Sequence, residues 1–260
     1  MKIGVFDSGL GGLIVTKSFL EELGEYDFLY YGDTKNLPYG DKSAKEVLEY
    51  CIAATEYLIS KDCKMIIFAC NTASAVALRY LQRSYMPKHH PDIKVLGVVV
   101  PTVEEAIASS SKAIGVIATQ STVASHMYKV EIQKINPDIK VQEVAAPELV
   151  PAIEGNDFVK AERLVREYVK KFENIDSLIL GCTHYPLLKN FFRKYLPRGV
   201  MVISQDEFMG RKMKEYLSNH PEIVAVLGKN NEHKFVVSKL NAHYENVAEK
   251  IIPGIKIMDA

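Results

Sequence analysis

The sequence lacks an excess of either charge, and it lacks any long apolar run. Its 260 residues carry 32 Lys and Arg side chains against 32 Asp and Glu, so the formal net charge is zero. Because no Lys/Arg-rich cluster stands out, nucleic acid and an anionic membrane surface are not favoured as partners. No apolar run approaches the roughly 20 residues that are needed to span a bilayer.

Cysteine is scarce as well, with four in the chain. Four cysteines in a chain of this length do not make a disulfide framework. The first residues, Met1–Asp7, have the pattern of a strand rather than that of a secretory signal. We therefore expect reduced thiols and a cytoplasmic location.

The overall composition is that of an ordinary globular protein, with 48% hydrophobic and 25% charged residues. Strand and helix patterns alternate along the chain, including a strand over Lys94–Val100 and a helix from Thr119 to about Ile135. This alternation favours an α/β fold with mainly parallel sheets and ligand sites at strand ends. We expect two similar lobes, formed by residues 1–98 with about 208–260 and by residues 99–207.

The most informative feature is that two cysteines lie in matching settings. Cys70 and Cys182 each follow a short apolar run and precede small polar residues that can start a helix. A thiol at a strand's carboxyl end, beside a helix N-terminus, lies where α/β folds place reacting groups and where its pKa is lowered. One such thiol from each half predicts a site between the halves, with a sulfur on either side of a substrate. Cys51, in a helical pattern, and Cys63, in a polar turn, are interpreted as small buried hydrophobes.

A glycine-rich turn, Asp7–Gly12, follows the first strand. Glycines let the backbone approach a ligand, and a helix N-terminus favours an anion. Ile14 replaces the third glycine of G-x-G-x-x-G, and the P-loop lysine is absent, so a nucleotide is not favoured. Either Asp7 or Ser8 caps the helix, or Ser8 binds substrate while Asp7 acts near a thiol.

His184 lies two residues after Cys182, where an imidazole can take or share a thiol proton. A metal site built from Cys70, Cys182 and His184 would lack the usual ligand spacings, so no metal is expected. Small polar residues also fall at inferred strand-to-helix turns, and their donors suit a carboxylate without a fixed cation. Each alone is equally compatible with a helix cap. These residues are Asn71, Thr72, Thr119, Thr122 and Thr183.

Together these motifs resemble the glutamate racemases of bacterial cell-wall synthesis, within the cofactor-independent aspartate/glutamate racemase superfamily. The matching segments are residues 4–13, 31–34, 38–40, 69–74 and 181–187. The resemblance implies two α/β lobes related by a pseudo-two-fold axis, with the active site between them. It also implies interconversion of L- and D-glutamate for peptidoglycan synthesis, without pyridoxal phosphate or another cofactor.

The resemblance assigns roles to individual residues. The family's two catalytic thiols match Cys70 and Cys182. Its assisting acids and imidazole match Asp7, Glu154 and His184. Its ligand-binding positions match Ser8, Tyr39, Gly40, Asn71, Thr72, Thr119, Thr122 and Thr183. We further expect glutamate as the small-molecule partner and a homodimer.

Two thiols suit this chemistry because the α-proton of an amino acid is weakly acidic. Racemisation needs a base on one face and a proton donor on the other. Three alternatives stay open: an aspartate racemase of the same superfamily, a hydrolase or transferase with one Cys and His184 as a nucleophilic pair, and a two-lobe binding protein without activity.

Overall fold

The computed structural model describes residues 1–109 and 112–260. Within these residues the strands are β1 Lys2–Asp7, β2 Phe28–Gly32, β3 Cys63–Phe68, β4 Lys94–Gly97, β5 Ala113–Ala118, β6 Lys140–Ala145, β7 Ser177–Gly181, β8 Met201–Ile203, β9 His233–Val237 and β10 Ile257–Asp259.

Helices follow almost every strand, as expected where parallel strands need long crossover connections. They are α1 Gly12–Leu23, α2 Ala44–Ser60, α3 Asn71–Val76, α4 Leu78–Tyr80, α5 Met86–His89, α6 Val99–Ala108, α7 Gln120–Ala124, α8 Met127–Ile135, α9 Leu149–Glu154, α10 Phe158–Val169, α11 Lys189–Tyr195, α12 Met209–Ser218, α13 Pro221–Val224 and α14 Ala242–Ile251. A π-helical turn covers Leu81–Tyr85, and 3₁₀ turns cover Thr34–Asn36, Tyr39–Asp41, Tyr185–Leu188 and Gln205–Glu207. None of these helices is both long and apolar enough to cross a membrane.

The strands form two sheets in which neighbouring strands are parallel. The six-stranded sheet has the order β10-β9-β2-β1-β3-β4, and the four-stranded sheet has the order β6-β5-β7-β8. The second order repeats the β2-β1-β3-β4 part of the first, so the chain contains the same strand arrangement twice. The predicted α/β class with two mainly parallel sheets is confirmed.

The central strands are buried, as strands covered by helices on both faces must be. All six residues of β5 and all five of β7 are buried. In the first sheet Phe6 pairs with Phe68, and Asp7 pairs with Gly32. This register brings the ends of β1, β2 and β3 to one edge, where the side chains that follow them meet.

Strands β1–β4, β9 and β10 belong to one sheet and β5–β8 to the other. The chain therefore passes between the sheets at α6 and again after β8. This membership supports the predicted lobes of residues 1–98 with about 208–260 and of residues 99–207, which we keep as a proposal.

Three local predictions are wrong. The strand predicted over Lys94–Val100 ends at Gly97, because α6 begins at Val99 and buries Val99 and Val103 on one face. The helix predicted from Thr119 is interrupted at His126, whose φ of 52° is left-handed. Cys63 opens β3 rather than lying in a turn, and only 2% of its surface is exposed.

Candidate active site

A cavity lies where the carboxyl ends of β1, β3 and β7 converge. Ten of the thirteen predicted site residues line it: Ser8, Tyr39, Gly40, Cys70, Asn71, Thr72, Thr119, Cys182, Thr183 and His184. The other three do not line the cavity, but each forms a hydrogen bond with a residue that does: Asp7, Thr122 and Glu154. The structure thus brings all thirteen predicted site residues together.

The cavity is narrow, and no Lys or Arg of the described residues lines it. It encloses about 30 Å³, whereas a single water needs about 10–15 Å³ by the same measure. An amino acid therefore enters only when the surrounding side chains or the two lobes move. The donors that face an anion there are therefore hydroxyls, amides, backbone N–H groups and the imidazole of His184.

Cys70 follows β3 and caps the N-terminus of α3. Its Sγ accepts from the Ala73 N–H at 3.5 Å, and the Cys70 thiol donates to the Ser8 hydroxyl oxygen at 3.5 Å. Burial, together with the nearby Asp7 carboxylate, raises the pKa of the Cys70 thiol to about 12. The expectation of a lowered thiol pKa is therefore wrong for Cys70, because desolvation outweighs the helix N-terminus and the two hydrogen bonds.

Cys182 follows β7, the strand that corresponds to β3 in the repeated order. Its Sγ lies 3.8 Å from Nδ1 of His184, whose Nε2 lies 2.6 Å from Oε1 of Glu154. Burial by itself would lower the pKa of His184, but its hydrogen bonds to Cys182 and Glu154 raise that pKa well above its usual value. Although burial opposes it, contact with the imidazole lowers the pKa of Glu154. The pair therefore carries opposite charges near neutral pH.

Asp7 is fully buried at the end of β1. One oxygen accepts from the Gly9 N–H at 3.0 Å, and the other accepts from the Thr183 hydroxyl at 3.2 Å. Burial raises the pKa of Asp7, while His184 and these hydrogen bonds oppose the rise. Because Thr183 follows β7, this bond joins the two sheets at the site.

Tyr39 and Gly40 come from the 3₁₀ turn that follows β2. The Tyr39 hydroxyl donates to Asp33 at 2.7 Å and is therefore turned away from a ligand. The Gly40 carbonyl accepts from the Ser121 hydroxyl at 2.7 Å, which ties this turn to α7. Asp33 did not emerge from the sequence as a site residue, although it lies in one of the matching segments.

Three hydroxyls from both sheets' connections form a small cluster. Thr72 Oγ1 lies 2.9 Å from Thr119 Oγ1 and 3.2 Å from Thr122 Oγ1. Thr119 Oγ1 and Thr122 Oγ1 lie 2.9 Å apart. Hydroxyls rotate freely enough to redirect their protons, so this cluster can present O–H donors to an anion.

Sequence reasoning missed an apolar wall of the cavity. It comes from the loop before the Tyr39 turn and from the segment after β6, and it comprises Leu37, Pro38, Ala146, Pro147, Val150 and Pro151. The sequence offered one signal for this wall, which was the position of the two segments. Because β6 takes the place in its sheet that β2 takes in the other sheet, the segments that follow both strands should reach the site. Asp41 also lines the cavity, whereas Cys51 and Cys63 are buried elsewhere in the hydrophobic core.

Across residues 1–109 and 112–260, no group of three or more His, Cys, Asp and Glu side chains is arranged to hold a metal ion. The side chains around the two thiols are instead set up for proton transfer, since an imidazole and two carboxyl groups lie within one or two contacts of a sulfur.

Comparison with known proteins agrees with this geometry. A family model described as Asp/Glu/Hydantoin racemase matches residues 31–205. The chain belongs to that racemase family. The matched segment includes both cavity thiols, and the predicted place in the aspartate/glutamate racemase superfamily is confirmed.

Individual members of the racemase family are similar over most of the chain. A glutamate racemase of Dinoroseobacter shibae is 37% identical over 243 residues, which is 87% of each protein. A glutamate racemase isoform of Bacillus anthracis superimposes with a TM-score of 0.90 at 32% identity, covering 100% of this chain and 97% of that one. The Francisella tularensis glutamate racemase, solved in complex with D-glutamate, gives a TM-score of 0.87 at 33% identity, with coverages of 100% and 97%.

Proposed function

We propose that the protein interconverts L- and D-glutamate by moving the α-proton between two thiols, without pyridoxal phosphate. The observation that carries this is the placement of Cys70 and Cys182. They follow corresponding strands, β3 and β7, of two sheets with the same strand order, and both line one cavity. A substrate held between them meets one sulfur on each side, which is what inversion at one carbon requires.

In the proposed reaction, the thiolate of one cysteine removes the α-proton of one enantiomer. The thiol of the other cysteine donates its proton to the opposite face of the carbanion. The net result is an inverted α-carbon, with the thiol and thiolate roles exchanged between the two residues. For the other enantiomer the same steps run in reverse, and proton exchange with water or neighbouring groups resets the enzyme.

The raised pKa of Cys70 suits a weakly acidic substrate. A thiolate whose conjugate acid has a pKa of about 12 is a much stronger base than a free cysteine thiolate. The substrate ammonium group supplies a positive charge inside the closed cavity, and an opposite charge nearby favours the ionised thiol. Asp7, which lies near Cys70, assists that thiol. His184 and Glu154 assist Cys182.

Substrate carboxylates are held by neutral donors in this scheme. The candidates are the Ser8 hydroxyl, the threonine hydroxyls at positions 72, 119, 122 and 183, and backbone N–H groups at the starts of α3 and of the turn after β7. Such donors hold an anion without a Lys or Arg side chain beside the sulfurs.

The relatives' names support glutamate as the substrate, and the Francisella tularensis protein was solved with D-glutamate bound. On this basis we propose that the product D-glutamate enters peptidoglycan synthesis, that the enzyme works in the cytoplasm, and that it forms a homodimer.

Proton NMR in D₂O tests the proposal with reduced protein and no added cofactor. L-Glutamate and L-aspartate are incubated separately, and optical rotation is followed in parallel. Loss of the glutamate α-proton signal with decay of rotation towards zero is expected. Exchange with aspartate alone would indicate an aspartate racemase, and no exchange with either would leave the thiol hydrolase or binding-protein alternatives.

A further inference from the structure

A pair of buried amides lies directly behind the cavity. Asn71 Nδ2 donates to Gln205 Oε1 at 3.0 Å, and Gln205 Nε2 donates to Asn71 Oδ1 at 2.9 Å. Asn71 is 1% exposed and Gln205 is not exposed at all. Asn71 lines the cavity beside Cys70, whereas Gln205 does not reach it, so any effect of Gln205 on a ligand acts through Asn71.

Thr102 sets the orientation of this amide pair. The Thr102 hydroxyl donates to the Val98 carbonyl at 2.6 Å, so its oxygen is left as an acceptor for Gln205 Nε2 at 3.1 Å. If Gln205 were turned over, its carbonyl oxygen would face a hydroxyl oxygen whose proton is already committed. Thr102 therefore keeps the Gln205 amino group towards itself and towards Asn71 Oδ1.

The orientation of the Gln205 amide in turn fixes the orientation of the Asn71 amide. Its Oδ1 accepts from Gln205 Nε2 and from the Tyr128 hydroxyl at 2.5 Å, which uses both lone pairs of that oxygen. One hydrogen of its Nδ2 is used by Gln205 Oε1. The second hydrogen is left for a ligand in the cavity, so Asn71 can present a donor there and not an acceptor.

We propose that Gln205 and Thr102 are positioning residues, which fix the Asn71 amide so that its Nδ2 donates to a substrate carboxylate. This inference rests on the proposed function, and it adds Gln205 and Thr102 to the residues that glutamate binding needs. The four side chains come from α3, α6, α8 and the turn after β8, so the arrangement forms only when both sheets' connections are packed together.

Thr102→Val tests this with little change in shape. Without the hydroxyl, the amide pair can turn over, and Asn71 then presents its oxygen to the carboxylate in part of the molecules. We expect KM for both glutamate enantiomers to rise about tenfold, the size of one hydrogen bond to a charged group. The value of kcat should change by less than about threefold, because the contact is made equally in ground and transition states.

The chain offers a matched control in Thr55→Val. Thr55 is also fully buried, and its hydroxyl donates to the carbonyl four residues earlier, Cys51, at 2.7 Å. Both variants lose a hydroxyl-to-carbonyl helix hydrogen bond, and Thr102→Val also loses the acceptor of Gln205 Nε2. Tm should therefore fall at least as far in Thr102→Val as in Thr55→Val, but KM should rise only for Thr102→Val. Thr102→Ser, which keeps the hydroxyl, should restore KM.

Gln205→Met provides a second variant that removes the amide itself, and it should raise KM at least as far as Thr102→Val. An unchanged KM in Thr102→Val, with a Tm loss at least as large as that of Thr55→Val, would overturn the positioning role while leaving racemisation intact. A wild-type protein that racemises neither enantiomer would instead overturn the proposed function.

Discussion

His184 Nε2 lies 2.6 Å from Glu154 Oε1, and only 6% of the imidazole side chain is exposed. The opposite ring nitrogen faces Cys182, so a carboxylate holds the imidazole in the orientation that this thiol requires. Cys70 contacts a hydroxyl and a backbone N–H instead. The two thiols therefore occupy corresponding places in the fold but different electrostatic surroundings, and removal of Glu154 should affect them unequally.

Glu154→Gln should lower the pKa of His184, because the carboxylate that stabilises the imidazolium is lost. The limb of the kcat profile that reports His184 deprotonation should then move to lower pH, by about one unit or more for a hydrogen-bonded partner of this kind. Imidazole NMR titration and kcat against pH measure this. Glu148→Gln is the control, since Glu148 contacts Tyr168 rather than His184; an unshifted profile in Glu154→Gln would contradict the pairing.

The same pair should make stability depend on pH. The folded pKa of His184 is raised, so its contribution is complete below the unfolded value and is lost as pH rises through the folded pKa. The folded pKa of Glu154 is lowered, so its contribution is present above the unfolded value and is lost as pH falls through the folded pKa. The free energy of unfolding, measured with denaturant, should differ most between wild type and Glu154→Gln at pH values that lie between those two folded pKa values. A difference that is constant across pH would argue against a charged pair.

Tyr39→Phe should change stability more than catalysis. The lost hydroxyl donates to Asp33 at 2.7 Å, and a hydrogen bond to a charged group contributes about 1.5–3 kcal/mol. Urea unfolding should show that loss, while KM for glutamate stays within about twofold because the hydroxyl faces away from the ligand. Tyr39→Ala, which removes the ring from the cavity wall, is the contrasting variant; a large KM change in Tyr39→Phe would mean that the hydroxyl itself contacts substrate.

Gly11→Ala should impair catalysis by pushing the two lobes apart at the site. A Cβ at Gly11 would lie 2.6 Å from Thr183 Oγ1 and 2.8 Å from His184 Nδ1. Displacing the imidazole by a fraction of an ångström to an ångström can reduce kcat by about 10²-fold. Gly199→Ala is the control: its φ of +92° strains an alanine, but the new Cβ would meet no atom of residues 1–109 or 112–260 within 4 Å. It should lower Tm and leave kcat unchanged, so equal kcat in both variants would rule out the proposed contact.

Much of the fold could be predicted because local pattern determines it. The strand predicted at the start of the chain ends at Asp7 as expected, since it is a short apolar run followed by a glycine-rich turn. Both thiols and His184 were found because they directly follow such runs. The interruption at His126 was not predictable in this way, because no Gly or Pro lies between Thr119 and Ile135 to signal it.

Contacts between distant parts of the chain were harder to predict. Gln205 and Asn71 are separated by 134 positions and meet only when the two sheets take their relative places. The raised pKa of Cys70 was missed for a related reason. Its sequence position gives the helix N-terminus, but the degree of burial and the closeness of Asp7 depend on tertiary packing.

The central claim is that two thiols act on opposite faces of one α-carbon. The most direct measurement is racemisation of L- and of D-glutamate, followed separately by circular dichroism, for Cys70→Ser and Cys182→Ser. Cys51→Ala serves as the control because Cys51 is fully buried and does not line the cavity. We predict that each serine variant loses activity in both directions by at least about 10²–10⁴-fold, the contribution of a positioned acid or base, while Cys51→Ala stays active. A serine variant at either position that retains most activity in both directions would contradict the two-thiol account.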